Sequence, residues 1–266
     1  MKRDYSMILS AIRRAGRITE NRETVSHVDT KGEKDFVTAA DKAIQEYLRT
    51  ELKKLLPEAE FFAEEDTERT ATKGFRWILD PVDGTTNLMH DFLHYSVSLA
   101  LAAGDEVIFG AVFNPKSGNM FYAVKGEGAY REWGEHNTKQ ERITVSNITR
   151  LSDALTTIGT SPYHKDLVDS NFKLFRAIFD RTQDIRRLGS AALDCCYVAA
   201  SYNDIFIERR LQPWDYAAGS LIITEAGGRI TDFKGNPPSL TDPSDILATN
   251  GLLHGQMLEL IKEVLG

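Results

Sequence analysis

Between residues 76 and 131 four β-rich stretches, RWILD, YSVSLALAAG, EVIFGAVFNP and NMFYAVKGEGAYR, follow one another, separated by Gly or Asn-Pro punctuation. Alternation and turn punctuation of this kind predict one sheet of adjacent, mostly antiparallel strands. Upstream, DKAIQEYLRTELKKLL (41–56) sets Ile44, Tyr47, Leu48, Leu52 and Leu55 at helical spacing, with Glu51 the one polar residue on that face and Pro57 as the stop. Downstream, the spacing predicts helices over 170–180, with Phe172, Phe175, Ile178 and Phe179 inward, and over 190–201. DIFIE (204–208) predicts a short buried strand. DYAAGSLIITEAGG predicts a helix with Asp215 as its N-cap and the Gly227-Gly228 pair as its end. One more strand at DILATN (245–250) and a closing helix over the last dozen residues complete a layered α and β pattern, with a soft boundary between about 135 and 155.

The 266 residues suffice for one large domain or two small ones with a sizeable core. A net charge of −7 offers no broad positive field, which argues against nucleic acid or an anionic membrane as partner. An anionic small-molecule substrate stays open, because a bound cation reverses the local sign. The two cysteines, Cys195 and Cys196, are neighbours whose side chains diverge on a helix, so neither a disulfide framework nor a zinc spacing is present. MKRDYSMILSAIRRAG carries charge on both sides of a short apolar patch and lacks a cleavage-type end, and no apolar run reaches membrane-spanning length. The expectation is a cytoplasmic protein.

The chemistry concentrates in WILDPVDGTTN (77–87). A core-type strand delivers Asp80 at its carboxyl end, Pro81 removes the next ladder donor, and Gly84 permits a sharp turn. Thr85 and Thr86 then open a helix with free backbone N–H groups. Asp80, Asp83 and the Val82 carbonyl offer hard oxygens to a divalent cation, and the N–H groups suit a phosphate. Further acids end other apolar elements: Glu64 and Glu65 in FFAEED, and Asp215 in QPWDYAAG. Taken singly, the first pair also fits a solvated loop and Asp215 a plain cap. Brought together, such carboxylates repel and require cations.

Ala-Glu-Glu (63–65), Asp-Pro-Val-Asp-Gly-Thr-Thr-Asn (80–87) and Trp-Asp-Tyr-Ala-Ala-Gly (214–219), in this order and spacing, resemble the three signatures of the inositol monophosphatase family. The likeness extends from DFVTAAD (35–41) to EAGG (225–228). It implies a layered α-β-α-β-α sandwich: an α+β subdomain over 1–140 carrying the first two motifs, and an α/β subdomain over 141–266 carrying the third and a polyol pocket. It also implies a homodimer, lithium sensitivity and hydrolysis of a phosphate ester by a Mg2+-activated water. On that resemblance Glu64, Asp80 and the Val82 carbonyl hold a first Mg2+, while Asp80, Asp83 and Asp215 hold a second. Glu65 reaches a weaker third ion through water. Thr85 pairs with Asp41 to orient and deprotonate the attacking water, and the Gly84 and Thr85 N–H groups hold the phosphate.

Two cues bear on the substrate. Thr86-Asn87 resembles the inositol monophosphatase type rather than the nucleotide phosphatases, which carry lysine at the first position. In RRLGSAALD (186–194) and IFIERRLQPWD, the resemblance places Gly189, Ser190, Ala191 and Glu208 around the polyol, beside Asp83 and Asp215. Glu208 would accept hydrogen bonds from two ring hydroxyls; a solvated strand-end acid is the plainer alternative. Arg209 and Arg210, where many relatives carry small or apolar residues, are either solvated surface or a site for a second anionic group. The expected function is therefore hydrolysis of inositol monophosphate. The alternatives are a fructose-1,6-bisphosphatase or broad sugar phosphatase, and an added protein-binding role, since some bacterial relatives bind transcription machinery.

Overall fold

The computed structural model describes residues 5–21, 28–32, 35–66, 74–134 and 139–266. Residues 135–138, where the expected boundary begins, lie outside these. A seven-stranded sheet runs in spatial order β3 (Glu60–Ala63), β4 (Phe75–Asp83), β5 (Ser96–Ala103), β6 (Glu106–Asn114), β7 (Asn119–Val124), β8 (Gly128–Trp133) and β9 (Lys139–Ile143). From β4 onward every pair is antiparallel; β3 alone pairs parallel to β4. A five-stranded sheet has the order β11 (Asp184–Arg186), β10 (Leu155–Ile158), β12 (Ile205–Leu211), β14 (Ser244–Thr249) and β13 (Arg229–Thr231). A small hairpin, β1 (Val28–Gly32) with β2 (Asp35–Thr38), precedes them.

Strand alternation sorts the core into layers. On the large sheet Trp77, Leu79, Leu99 and Leu101 face α1 (Ser6–Gly16) and α2 (Ala39–Leu55), packing on Ile8, Ile12, Ile44 and Leu48. Ile78, Ala100 and Ala102 point the other way, onto α5 (Ala191–Ala199) and α6 (Pro213–Glu225). Those two helices are apolar all round because they are covered twice: Phe206, Ile246 and Ala248 of the small sheet close over them from the other side. Ile205, Ile207 and Leu247 face outward onto α4 (Val168–Arg181) and α7 (His254–Leu265). The result is the α-β-α-β-α sandwich. Among the described residues, no helix is long and apolar enough to cross a membrane.

Three local expectations need correction. β4 does not stop at Asp80 but continues to Asp83, absorbing Pro81 in a bulge: Asp80 pairs with Ser98 and Asp83 with Ser96, so three steps on one strand match two on the other. Asp215 is not the N-cap of α6; Gln212 is, because Pro213 takes the first helical position, where its missing N–H costs nothing. On α4 the inward stripe is Asn171, Leu174, Phe175 and Ile178, and Phe172 and Phe179 stand 63% and 52% exposed. The 171-174-175-178 spacing is the tighter helical face, and only one face of α4 has a sheet beneath it.

Candidate active site

The bulge in β4 aims two carboxylates at one point. Asp80 is 2% exposed and Asp83 7%, and Asp215 from the first turn of α6 joins them. Carboxylate oxygens of these three residues all lie within 4.8 Å of one another. Asp215 is held by the Gln212 N–H, which donates to its Oδ2 at 2.7 Å. The start of α6 is pinned beside Asp80 because Ser98, the cross-strand partner of Asp80, donates to the Trp214 carbonyl at 3.2 Å. Parallel pairing of Ala63 with Leu79 brings the next residue, Glu64, alongside Asp80, and the Glu64 N–H bonds to the Leu79 carbonyl at 3.2 Å.

Asp83 is fixed from a distant part of the chain. Its carboxylate accepts the backbone N–H groups of Ala191 (3.2 Å) and Ala192 (2.9 Å) and the hydroxyl of Ser190, so it caps the N-terminus of α5. The Ser190 side chain thus serves Asp83, while Gly189 and Ala191 line the cleft. Gly84, with φ +95°, turns the chain from β4 into the short helix α3 (Thr85–Met89). Asn87 of that helix donates to the carbonyls of His94 (2.6 Å) and Leu188 (2.9 Å), clamping the 188–189 loop over the turn.

Asp41 lies in the first turn of α2, buried. Its Oδ2 accepts the Thr38 N–H at 2.8 Å and the Thr38 hydroxyl at 2.6 Å. That leaves Oδ1, 3.3 Å from the Thr85 hydroxyl, which also lies 3.0 Å from the Val82 carbonyl. The expected Thr85–Asp41 pair is therefore in place. Glu65 does not border the cleft; its N–H meets Gln45 Oε1 at 3.3 Å.

The cleft has a volume of about 430 Å3 and runs from the acids to Glu208 on β12. The Ser161 N–H donates to Glu208 Oε1 at 2.9 Å. Gly159 makes way for this carboxylate, since a Cβ there would stand 1.9 Å from it. Tyr163 and His164 of the 159–166 loop also border the cleft.

Burial and mutual repulsion set the chemistry of the acid cluster. Burial first, then the charges of Glu64, Asp83 and Asp215, pushes the Asp80 carboxyl well above its ordinary range. Asp215 moves the same way by burial and by Asp83. Asp83 is raised by burial, against the pull of Ser190 and Ala192. Burial pushes Glu208 up to about 7 and Asp41 upward. An all-oxygen set whose charges repel one another fits a hard divalent ion such as Mg2+, with the Val82 carbonyl and Glu64 at the margin of the same cleft.

Four features escaped the sequence reading: the Asn87 clamp, the Gly159 recess, Arg187 on the cleft wall, and a buried pair behind Asp83. In that pair His94 Nε2 stands 3.7 Å from Asp194 Oδ1, and burial lowers the His94 pKa to about 4. Arg187 was within reach, standing two residues before Gly189 in a stretch already assigned to the pocket.

The inositol monophosphatase family model matches residues 3–265. A Thermotoga maritima protein named fructose-1,6-bisphosphatase/inositol-1-monophosphatase is 37% identical over 242 residues, covering 90% of this chain and 88% of its own. A Haemophilus influenzae protein named Nus factor SuhB is 32% identical over 269 residues, covering 98% and 96%. Among solved structures, an extragenic suppressor protein suhB from Bartonella henselae superposes with a TM-score of 0.86 at 33% identity, covering 97% of both chains. With its three motifs gathered at one cleft and its length matched almost end to end, the chain belongs to the inositol monophosphatase family of phosphoric monoester hydrolases.

Proposed function

We propose that this phosphatase is Mg2+-dependent and acts on inositol monophosphate. The observation that carries the proposal is the convergence of Asp80, Asp83 and Asp215 within 4.8 Å, one cleft-length from Glu208. Glu64, Asp80 and the Val82 carbonyl would hold one ion, and Asp80, Asp83 and Asp215 a second. Bound there, Mg2+ supplies the charge that lets a phosphate dianion enter an acidic cleft and acidifies the attacking water.

The protein's own groups do the rest. Thr38 saturates one oxygen of Asp41, so only Oδ1 is left to take a proton, and it faces Thr85. Burial raises the proton affinity of Asp41, which suits a base. The Thr85 hydroxyl donates toward Asp41 and accepts from water, relaying the proton in one direction. Backbone N–H groups at Gly84 and Thr85 hold the phosphate. At the far end Glu208, fixed by Ser161, accepts from polyol hydroxyls, and Gly189 and Ala191 leave room for the ring. A substrate without those hydroxyls leaves the buried carboxylate with the Ser161 N–H but without the polyol donors.

Phosphate release from inositol 1-phosphate, fructose 1,6-bisphosphate and p-nitrophenyl phosphate tests this. Preference for inositol 1-phosphate supports the assignment; a flat profile leaves a broad sugar phosphatase. The Haemophilus influenzae relative named as a Nus factor supports a second reading, protein binding alongside catalysis. A partner complex that persists in Asp83→Asn would establish it.

A further inference from the structure

Asp194 is the one carboxylate in α5, among Ala, Leu, Cys, Tyr and Val. It is buried, and its Oδ1 has no hydrogen-bond partner among the described residues. The start of the same helix already holds another carboxylate, Asp83, on the N–H groups of Ala191 and Ala192. A second acid one turn further on is repelled by the first. Burial and that charge push the Asp194 carboxyl well above its ordinary range. An acid placed so costs stability unless a partner faces it.

His94 faces it. Its Nε2 stands 3.7 Å from Asp194 Oδ1, and it too is buried with no hydrogen-bond partner among the described residues. The ring also meets Tyr197 edge-on, with centroids 5.2 Å apart. Residues 194 and 197 lie three apart on α5 and share a face, so the imidazole docks across that face. The backbone of His94 is tied elsewhere: its carbonyl accepts the Asn87 amide at 2.6 Å. Two residues on, Ser96 pairs with Asp83 across the strands, and its hydroxyl donates to Asp83 Oδ2 at 3.4 Å. The contacts close a ring, from Asp83 to α5, from α5 to His94, and through Ser96 back to Asp83. The His94–Asp194 contact joins α5 to this segment without using the oxygens of Asp83.

We infer that His94 and Asp194 are positioning residues that fix the start of α5 against the β4–β5 end of the large sheet, and so orient the Asp83 carboxylate toward Asp80 and Asp215. This rests on the metal-binding role proposed above for the acid cluster. Both oxygens of Asp83 are committed to the start of α5, so a shift of that helix is a shift of the carboxylate. Neither His94 nor Asp194 borders the cleft, and the pair acts only through Asp83. No proton transfer or covalent step is involved.

The test uses His94→Phe, which keeps a ring and loses the polar nitrogen, His94→Gln, whose amide nitrogen reaches as far as Nε2, and Asp194→Leu. Mg2+ is titrated calorimetrically with inorganic phosphate present. Hydrogen exchange of the Ala191 and Ala192 amides is followed in chelator, relative to the amides of β5, so that a global loss of stability cancels. Removing a group that orients a metal-binding side chain weakens metal affinity about 10- to 100-fold. That loss is expected in His94→Phe, with faster exchange at Ala191 and Ala192, and His94→Gln recovers most of both. His94→Phe combined with Asp194→Leu loses no more than the worse single variant, because the two break one contact. Where His94→Phe does not fold, His94→Asn, polar but too short to reach Asp194, replaces it with the same expectation. Unchanged Mg2+ affinity and unchanged relative exchange make the pair a packing contact and overturn the inference, as do additive losses in the double variant. A wild type that binds no Mg2+ rejects the metal-binding role instead. Exchange then decides the pair: faster exchange restored by glutamine upholds its hold on Asp83, and unaltered exchange rejects it.

Discussion

The Asp83 carboxylate accepts the backbone N–H of Ala192 at 2.9 Å, joining the end of β4 to the start of α5 across 109 residues of chain. One side chain thus caps a helix and supplies oxygen to the acid cluster. The two duties separate by substitution. Asp83→Ala removes the acceptor for two helix N–H groups and costs about 1–2 kcal/mol of folding stability in chelator. Asp83→Asn keeps an acceptor oxygen and stays within about 1 kcal/mol of wild type. Both lose activity, on the order of a hundredfold or more. Urea unfolding with parallel phosphate release checks this; full activity in folded Asp83→Asn contradicts the two-ion arrangement.

Magnesium should stabilise the fold more at high pH than at low pH. Asp80 and Asp215 have folded-state pKa values well above 3.8, so the folded chain holds protons that the unfolded chain releases. Their contribution to metal-free stability is full below the unfolded pKa and is lost as pH rises through the raised folded values. Cations remove that penalty by replacing the protons. The unfolding temperature in chelator therefore falls as pH rises above the ordinary carboxylate range, and the increment from Mg2+ grows with it. It reaches roughly 2–3 kcal/mol at a hundredfold excess over Kd. A Mg2+ increment independent of pH counts against carboxylate ligation.

Glu208 titrates at about 7, so its hydroxyl-accepting form is populated above that pH. The preference for inositol 1-phosphate over p-nitrophenyl phosphate should rise as pH passes through 7. Glu208→Gln removes both the preference and its pH dependence, with little loss on p-nitrophenyl phosphate. An equal loss on both esters would make Glu208 structural. Its effect on folding runs the opposite way: burial favours the protonated form, so stability is present below 4.5 and lost as pH rises through about 7.

Gly159→Ala forces the Glu208 carboxylate to move, because the added Cβ would stand 1.9 Å from it. The acid cluster of Asp80, Asp83 and Asp215 is untouched. The expected outcome is a roughly tenfold loss of inositol 1-phosphate kcat/KM with p-nitrophenyl phosphate hydrolysis retained, since a buried hydrogen bond is misplaced and not removed. Parallel losses would place Gly159 in the general fold and not in substrate choice.

Much of the site was legible because backbone chemistry wrote it into residue type. Pro81 marks the ladder break, Gly84 the left-handed turn, and the acids stand where apolar elements end. The layers followed from strand runs and helical spacing. What escaped depends on partners distant in sequence. Phe172 and Phe179 belong to a helical stripe as plausible as the buried one, and only the position of the small sheet chooses between them. Asp215 looks like a cap until Pro213 is given its preferred position in the first turn. Arg209 and Arg210 drew attention by adjacency to Glu208, yet their carboxylates, Asp245 and Asp166, come from two other segments.

The central claim is that Asp80, Asp83 and Asp215 hold the Mg2+ on which hydrolysis depends. The most direct measurement is phosphate release from inositol 1-phosphate by metal-stripped protein titrated with Mg2+. Wild type is compared with folded Asp215→Asn. The account predicts no release without Mg2+, a saturable gain in wild type, and no comparable gain in Asp215→Asn at the same concentrations. Release that persists in chelator, or an Asp215→Asn titration that overlays the wild-type curve, would contradict it.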